Sequence, residues 1–324
     1  MSTNINLHKA NVIKNDEFYT RFTDISKELI NYKKHFKDKV ILCNCDNPNH
    51  SAFWKYFHLN FNKLGLKKLI STYYDKDKST YKIEYRGGGN DNDIKDGLKI
   101  PLKGNGDFRN VECIKILKEA DIVVTNPPFS LFREYITMLM EYNKKFIIIG
   151  NINSVTYKEF FPLLKDDKVW VGCNKPLEFD TPNGILKKVQ CRWFTNLDHQ
   201  KRHRNIPLCK KYVETDYETF DELPNIINVN KIKDIPTDYY GYMGVPITFF
   251  DNYNPEQFEV IEGLNRYAFM DYFGINKDVK KRHSHCCNVN GKATYYRIVV
   301  RKKSIRQIRR NNNEIIGIII KNIF

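Results

Sequence analysis

Val123–Tyr135 reads VVTNPPFSLFREY: an apolar run ends at the amide side chain of Asn126, and two prolines and a phenylalanine follow. Each residue type there suits one operation on an exocyclic amine such as that of a nucleobase. The Asn126 side-chain oxygen can accept one N–H, and a backbone carbonyl beside it can accept the other. Proline fixes φ and presents a carbonyl with no competing N–H, so Pro127 and Pro128 stiffen the acceptor pair. Phe129 offers a ring on which a base can stack. With both N–H groups held, the nitrogen lone pair is freed from its ring and can be aimed at a methyl sulfonium. Such a transfer needs orientation and electrostatics and no covalent nucleophile. A base inside a duplex would have to be flipped out first. Asn-Pro-Pro alone would also serve as a turn after a strand; DIVVT before it and Phe129 after it favour a site.

Those residues work only if strands deliver them to one edge. The first 200 residues alternate short apolar runs with longer amphipathic ones, which predicts an α/β fold with a parallel sheet. Strands are expected at 39–43, 67–74, 121–125, 145–150 and 168–172, and helices at 50–61, 109–120 and 130–142, the last with Ser130 as N-cap. The glycine-rich stretch 85–97 reads as a surface loop. In such a sheet ligands bind beyond the carboxyl ends of the strands. Asp46 follows the first strand, Asp75 the second, Asp107 precedes the helix at 109, and Asn126 ends the next strand. Three carboxylates and an amide along one edge suit a nucleoside-bearing cofactor, with an acid after an early strand on its ribose hydroxyls. There is no G-x-G-x-x-G and no P-loop to hold a pyrophosphate. S-adenosylmethionine has no phosphates and needs neither.

Beyond residue 200 the helix alternation fades and prolines 207, 224, 236, 246 and 255 punctuate the chain, so a boundary is placed near Gln200. The chain has 53 basic and 38 acidic residues, a net charge of +15, with basic and aromatic residues interleaved along most of its length. Such a balance favours a polyanion held by counterion release. The segment from Arg202 to Tyr253 is expected to dominate that contact. No run of 18 apolar residues exists and the first residues carry no secretory pattern, so no membrane contact is expected. Eight scattered cysteines without framework spacing fit a reducing, cytoplasmic setting. The one metal-like cluster, His283, His285, Cys286 and Cys287, has awkward spacing for a tetrahedral site, and no metal is expected.

The ordered set NDEFYT (15–20), CNCDNP (43–48), GDFR (106–109), DIVVTNPPFSLFREY (121–135), TNLD (195–198) and NVNKIKDIPTDYYGYMGVPITFF (228–250) resembles the EcoRI-type DNA adenine-N6 modification methyltransferases over residues 8–303. The resemblance implies a Rossmann-like S-adenosylmethionine-dependent methyltransferase sheet over residues 1–200. It also implies a DNA target-recognition region over 201–303, with 304–324 as a basic and apolar extension outside it. It implies transfer of a methyl group to N6 of adenine in double-stranded DNA, GAATTC being the expected site. The enzyme would be a monomer in a restriction–modification setting, where a cognate endonuclease can be present, in a bacterial or phage-encoded system. In this chain Asn126 and Pro127 would orient N6 and Phe129 would stack on the target base. Asp107, with Phe108, matches the acid at the cofactor's adenine and Asp75 the acid at its ribose. Phe18 and Tyr19 match the motif beside its methionine portion. Asp46 is also placed at the cofactor, although CNCDNP lacks the glycines usual in that loop. The same Asn-Pro-Pro-aromatic device serves methylation of RNA and of protein glutamine, and an inactive DNA-binding protein would share the charge. The long basic C-terminal region and the acidic strand ends speak against these readings.

Overall fold

The computed structural model describes residues 19–45, 47–76, 79–89, 93, 96–176, 178–180, 186–221, 223–264 and 288–304. Contacts divide the chain into two units, one of residues 1–160 and 168–200, the other of 161–167 and 201–324. The strands of the first unit are β1 (Tyr19–Thr20), β2 (Val40–Cys43), β3 (Lys68–Ser71), β4 (Tyr81–Tyr85), β5 (Leu98–Pro101), β6 (Ile122–Thr125), β7 (Lys145–Asn151), β8 (Trp170–Val171), β9 (Glu178–Asp180), β10 (Leu186–Lys188) and β11 (Cys191–Thr195). Its helices are α1 (Phe22–Leu29), α2 (Ala52–Leu59), α3 (Phe61–Leu64), α4 (Val111–Glu119) and α5 (Phe132–Glu141).

Eight strands form one sheet in the order β5-β4-β3-β2-β6-β7-β11-β8. Its centre, β3-β2-β6-β7, is parallel. All residues of β2, β3 and β6 are buried, as expected for strands covered on both faces. From β2 the chain steps outward to β3, then returns to the opposite side of β2 at β6 and continues to β7. The reversal leaves a switch point between the carboxyl ends of β2 and β6, where open α/β sheets bind ligands.

The wings depart from the parallel expectation. β4 and β5 pair antiparallel beyond β3, and β11 and β8 pair antiparallel beyond β7, so the sheet is mixed. Strand β4 begins inside a region with no strand expected, and only its last residue, Tyr85, lies in the glycine-rich stretch. The helix expected over 50–61 breaks at Asn60 into α2 and α3. Helix α5 starts at Phe132, with Leu131 at its N-cap position and a 3₁₀ turn over Phe129–Leu131 in front, so Ser130 is not the cap. The apolar stripe Phe132, Tyr135, Ile136 and Leu139 faces the sheet at i, i+3, i+4, i+7 spacing. Phe132 sits so close that a Cβ on Gly150 of β7 would lie 2.5 Å from its ring.

A small sheet, β1-β9-β10, is antiparallel throughout. A wholly buried carboxylate, Glu28 of α1, anchors the approach to it. Glu28 accepts the backbone N–H groups of Cys173 and Asn174 at 2.8 and 2.7 Å and the Tyr32 hydroxyl at 2.8 Å. Burial pushes its carboxyl above the usual range, and these donors pull the other way.

In the second unit the strands are β12 (Thr219–Phe220), β13 (Leu223–Asn228), β14 (Tyr242–Pro246), β15 (Phe258–Leu264), β16 (Asn288–Val289), β17 (Lys292–Ala293) and β18 (Arg297–Lys302), with one α-helix among the described residues, α6 (Phe161–Lys165). Five of them form a sheet in the order β12-β13-β14-β18-β15, packed around Phe220, Ile226, Ile261, Leu264 and Val299. Asn290 and Gly291, both at positive φ, turn β16 into β17, and the two backbone N–H groups donate to the Asp221 carboxylate at 2.8 Å each.

One core residue is poorly matched to its surroundings. His58 of α2 is wholly buried, its ring 4.1 Å from that of Tyr85, and neither ring nitrogen has a hydrogen-bond partner. An unmet polar group of this kind destabilises by about 1–3 kcal/mol. His58→Phe keeps the ring contact and removes the unmet group, so it should raise the unfolding free energy by about 1 kcal/mol. A urea melt reads this directly, and an unchanged or lower midpoint would contradict it.

Candidate active site

The chain makes its sharpest local demand at the switch point. Asn126 and Pro127, directly after β6, are buried, while Pro128 and Phe129 are half-buried. The Pro128 carbonyl accepts the Leu131 N–H at 3.0 Å and closes the turn. The carbonyl adjoining the Asn126 amide is therefore that of Pro127. Phe129 meets Phe179 of β9 edge-on, with ring centroids 6.5 Å apart.

The residue opposite, Asn44, follows β2 and is also buried. Its carbonyl accepts the Thr125 hydroxyl, and its side-chain oxygen accepts the Tyr135 hydroxyl at 2.5 Å. Thr125 precedes the Asn-Pro-Pro-Phe stretch and Tyr135 follows it on α5, so one asparagine ties down both flanks. Tyr135 is wholly buried, and burial holds its hydroxyl protonated far above the usual range. Cys45 comes next with φ +77°, a left-handed backbone that costs a non-glycine residue free energy.

On the other flank two connections zip together. Leu102 N–H donates to the Thr80 carbonyl, Thr80 N–H to that of Gly104, and Asp75 N–H to that of Asn105. Gly106, at φ +76°, lets the Tyr73 carbonyl come so near that a Cβ would lie 1.9 Å from it. The zip brings Asp75 beside the loop that carries Asp107. Arg109 grips the Asp107 carboxylate through Nε at 2.9 Å and Nη2 at 2.7 Å, and reaches Glu134 of α5 through Nη1 at 2.9 Å. This fork holds the Asp107 carboxyl below the usual carboxylate range. Phe108 is buried and meets Tyr135 edge-on at 5.0 Å.

Of the residues expected at the site, Asp75, Asp107, Phe108, Asn126, Pro127 and Phe129 thus stand on connections at the carboxyl edge of the central strands. Tyr19 lies in β1, paired with Asp180 of β9. Phe18 and Asp46 lie outside the described residues, as do His283, His285, Cys286, Cys287 and the extension from residue 305. Sequence reasoning passed over Asn44, Tyr135 and Gly106. Tyr135 had a readable signal, being the polar-tipped member of an otherwise apolar helical stripe. Among the described residues no group of three His, Cys, Asp or Glu side chains could hold a metal ion, and no helix is long and apolar enough to cross a membrane.

The family described as adenine-specific methyltransferase EcoRI matches residues 6–303. The chain belongs to this family. It is 42% identical over 338 residues to the type II methyltransferase M.EcoRI of Escherichia coli, which covers 94% of this chain and 99% of the relative. Type II methyltransferases of Mycoplasma genitalium (M.MgeORF184P) and Mycoplasma pneumoniae (M.MpnI) are 40% and 38% identical, over 92% and 91% of this chain and 99% and 98% of their own lengths. No solved structure matches. The family makes the chain a methyltransferase of adenine specificity, on a mixed α/β sheet.

Tyr135→Phe deletes the donor to a buried acceptor and should cost about 1–3 kcal/mol of stability. A denaturant midpoint equal to the parent's would show that Asn44 does not depend on it. Arg109→Ala should let the Asp107 carboxyl rise toward the ordinary value, as NMR titration would report. Because the fork lowers this carboxyl in the folded state, its stabilisation is present above about pH 4 and lost as pH falls further. The variant's stability should therefore depend less on pH along that acid limb.

Proposed function

We propose that this chain transfers a methyl group from S-adenosylmethionine to N6 of an adenine flipped out of duplex DNA. The carrying observation is the placement of Asn126-Pro127-Pro128-Phe129 against Asn44 at the switch point. The side-chain oxygen of Asn126 and the carbonyl of Pro127 accept from the two N–H groups of N6, which loosens its lone pair from the ring π system, and N6 sheds one of these protons to water once it carries the methyl group. Phe129 takes the face of the base. When bound, the cofactor supplies a methyl group on a positively charged sulfur, so no metal and no covalent enzyme intermediate are required. The Asp107 carboxylate, kept ionised by Arg109, accepts from the adenine amino group of the cofactor, and Asp75 accepts from its ribose hydroxyls.

The residues fit such a group. The buried hydroxyls of Ser71, at the end of β3, and Thr80, beside Gly106, have no hydrogen-bond partner in the protein, as expected near a polar ligand. Tyr19, with Phe18 and Asp46, completes the set assigned to the cofactor. Residues 201–303, which belong to the second unit, serve as the target-recognition region, and duplex DNA is the partner.

The charge for that contact is distributed differently from expectation. Residues 202–253 hold six lysines and arginines against eight aspartates and glutamates, so that segment is not basic. Two of its lysines are paired, Lys210 with Asp216 and Lys211 with Asp238. Residues 265–324 hold fourteen basic against three acidic residues, and they supply most of the attraction to phosphates.

Duplexes containing GAATTC are the first to assay. The three relatives carry different names at similar identity, and readout rests on a few side chains at base edges. Transfer of tritiated methyl to duplex DNA, RNA and cell protein in parallel tests the substrate class. Label on RNA or protein, with DNA blank, would overturn the proposal. Asn126→Ala should lower kcat on DNA by about 10²–10³-fold, because one of two preorganised acceptors is lost, while DNA affinity stays near that of the parent. Parent-like turnover would remove Asn126 from the mechanism.

A further inference from the structure

We propose that Lys187 of β10 contacts the phosphodiester beside the target adenine. This rests on the reading of duplex DNA as substrate. Strand register places the lysine. Phe179 of β9 is paired with Thr20 of β1 on one side and with Lys187 of β10 on the other. Directly opposed residues of antiparallel strands project from the same face. Thr20, Phe179 and Lys187 therefore form one row across the small sheet.

Phe179 is wholly buried and is the residue that meets Phe129. The face bearing Lys187 is thus the face turned to the motif aromatic. The other face carries Glu178, Asp180 and Lys188, where Glu178 pairs with Arg21 at 2.9 Å and with Lys188 at 3.6 Å. On the Phe179 face the row gives a hydroxyl, a ring and an ammonium, and its only charged member is Lys187. Lys187 is exposed, as is all of β10.

The chemistry of that row fits a nucleotide. A base lying against Phe129 carries its sugar and phosphates out past the rim of the same face. A lysine on a long flexible stem at that rim meets a phosphate as a point charge, without demanding one geometry. Such a contact fixes position and carries no sequence information.

The test measures DNA affinity across a salt series for the parent, Lys187→Ala, Lys187→Arg and Lys188→Ala, with S-adenosylmethionine affinity measured in parallel. Loss of one phosphate contact should weaken binding of target and non-target duplexes alike and reduce the slope of log K against log salt by about 1. Lys187→Arg should restore the slope, and Lys188→Ala, whose ammonium already faces Glu178, should change it less. Cofactor affinity should stay at the parent value in all four proteins. An unchanged slope in Lys187→Ala would overturn the proposal while leaving DNA methylation intact. Weaker cofactor binding with an unchanged DNA slope would overturn it too, and would assign Lys187 to the cofactor's carboxylate. A parent protein that binds no duplex would bring down the functional reading itself, and this inference with it.

Discussion

Everything at the switch point depends on Asn44. A backbone carbonyl and a side-chain amide on one residue receive hydroxyls from both flanks of the Asn-Pro-Pro-Phe stretch. The strand ahead of the stretch and the helix behind it are thereby fixed to the end of β2, and the prolines need only keep the short interval between them stiff. Two N–H acceptors can hold an amine in one orientation only if they do not move relative to each other, since small misplacements cost large factors in rate. The cross-strand tie gives that rigidity without adding any bulk to the ligand side.

The flank assigned to the cofactor is built on a different device. Asp75 and Asp107 lie 32 residues apart in sequence, and a backbone zip links their loops, with Gly106 pressed against the Tyr73 carbonyl. Backbone hydrogen bonds set the spacing, and Arg109 then sets the direction of one carboxylate. Because Arg109 also reaches Glu134, the acid assigned to the cofactor and the helix behind the Asn-Pro-Pro-Phe stretch share one guanidinium.

Much of this was legible in the sequence because it is local. β2, β6 and β7 are unbroken apolar runs, and Asn126 through Phe129 is a contiguous stretch whose chemistry follows from residue type. What stayed hidden is non-local. The antiparallel wings depend on pairing choices that a short run such as YKIEY does not announce. Ser130 looked like a cap, but a 3₁₀ turn intervened and moved the helix start to Phe132. Asn44 and Tyr135 are 91 residues apart, and nothing in either segment reveals the partner. The charge was misread for another reason: a balance of +15 says nothing about location, and only counting by segment shows β12, β13 and β14 lying in a stretch with more acid than base.

Strand β10 ends its sheet, with β9 on one side and no strand paired on the other among the described residues. An open edge offers unpaired backbone groups to any passing strand, including that of a second copy of the same chain. Leu186 is exposed there and would strengthen such a join. Two consecutive lysines, one on each face, make the approach of an identical edge electrostatically unfavourable, since like charges opposed across strands destabilise a pair. A second copy approaching that edge would meet like charge on both faces of β10, whether or not a polyanion is present.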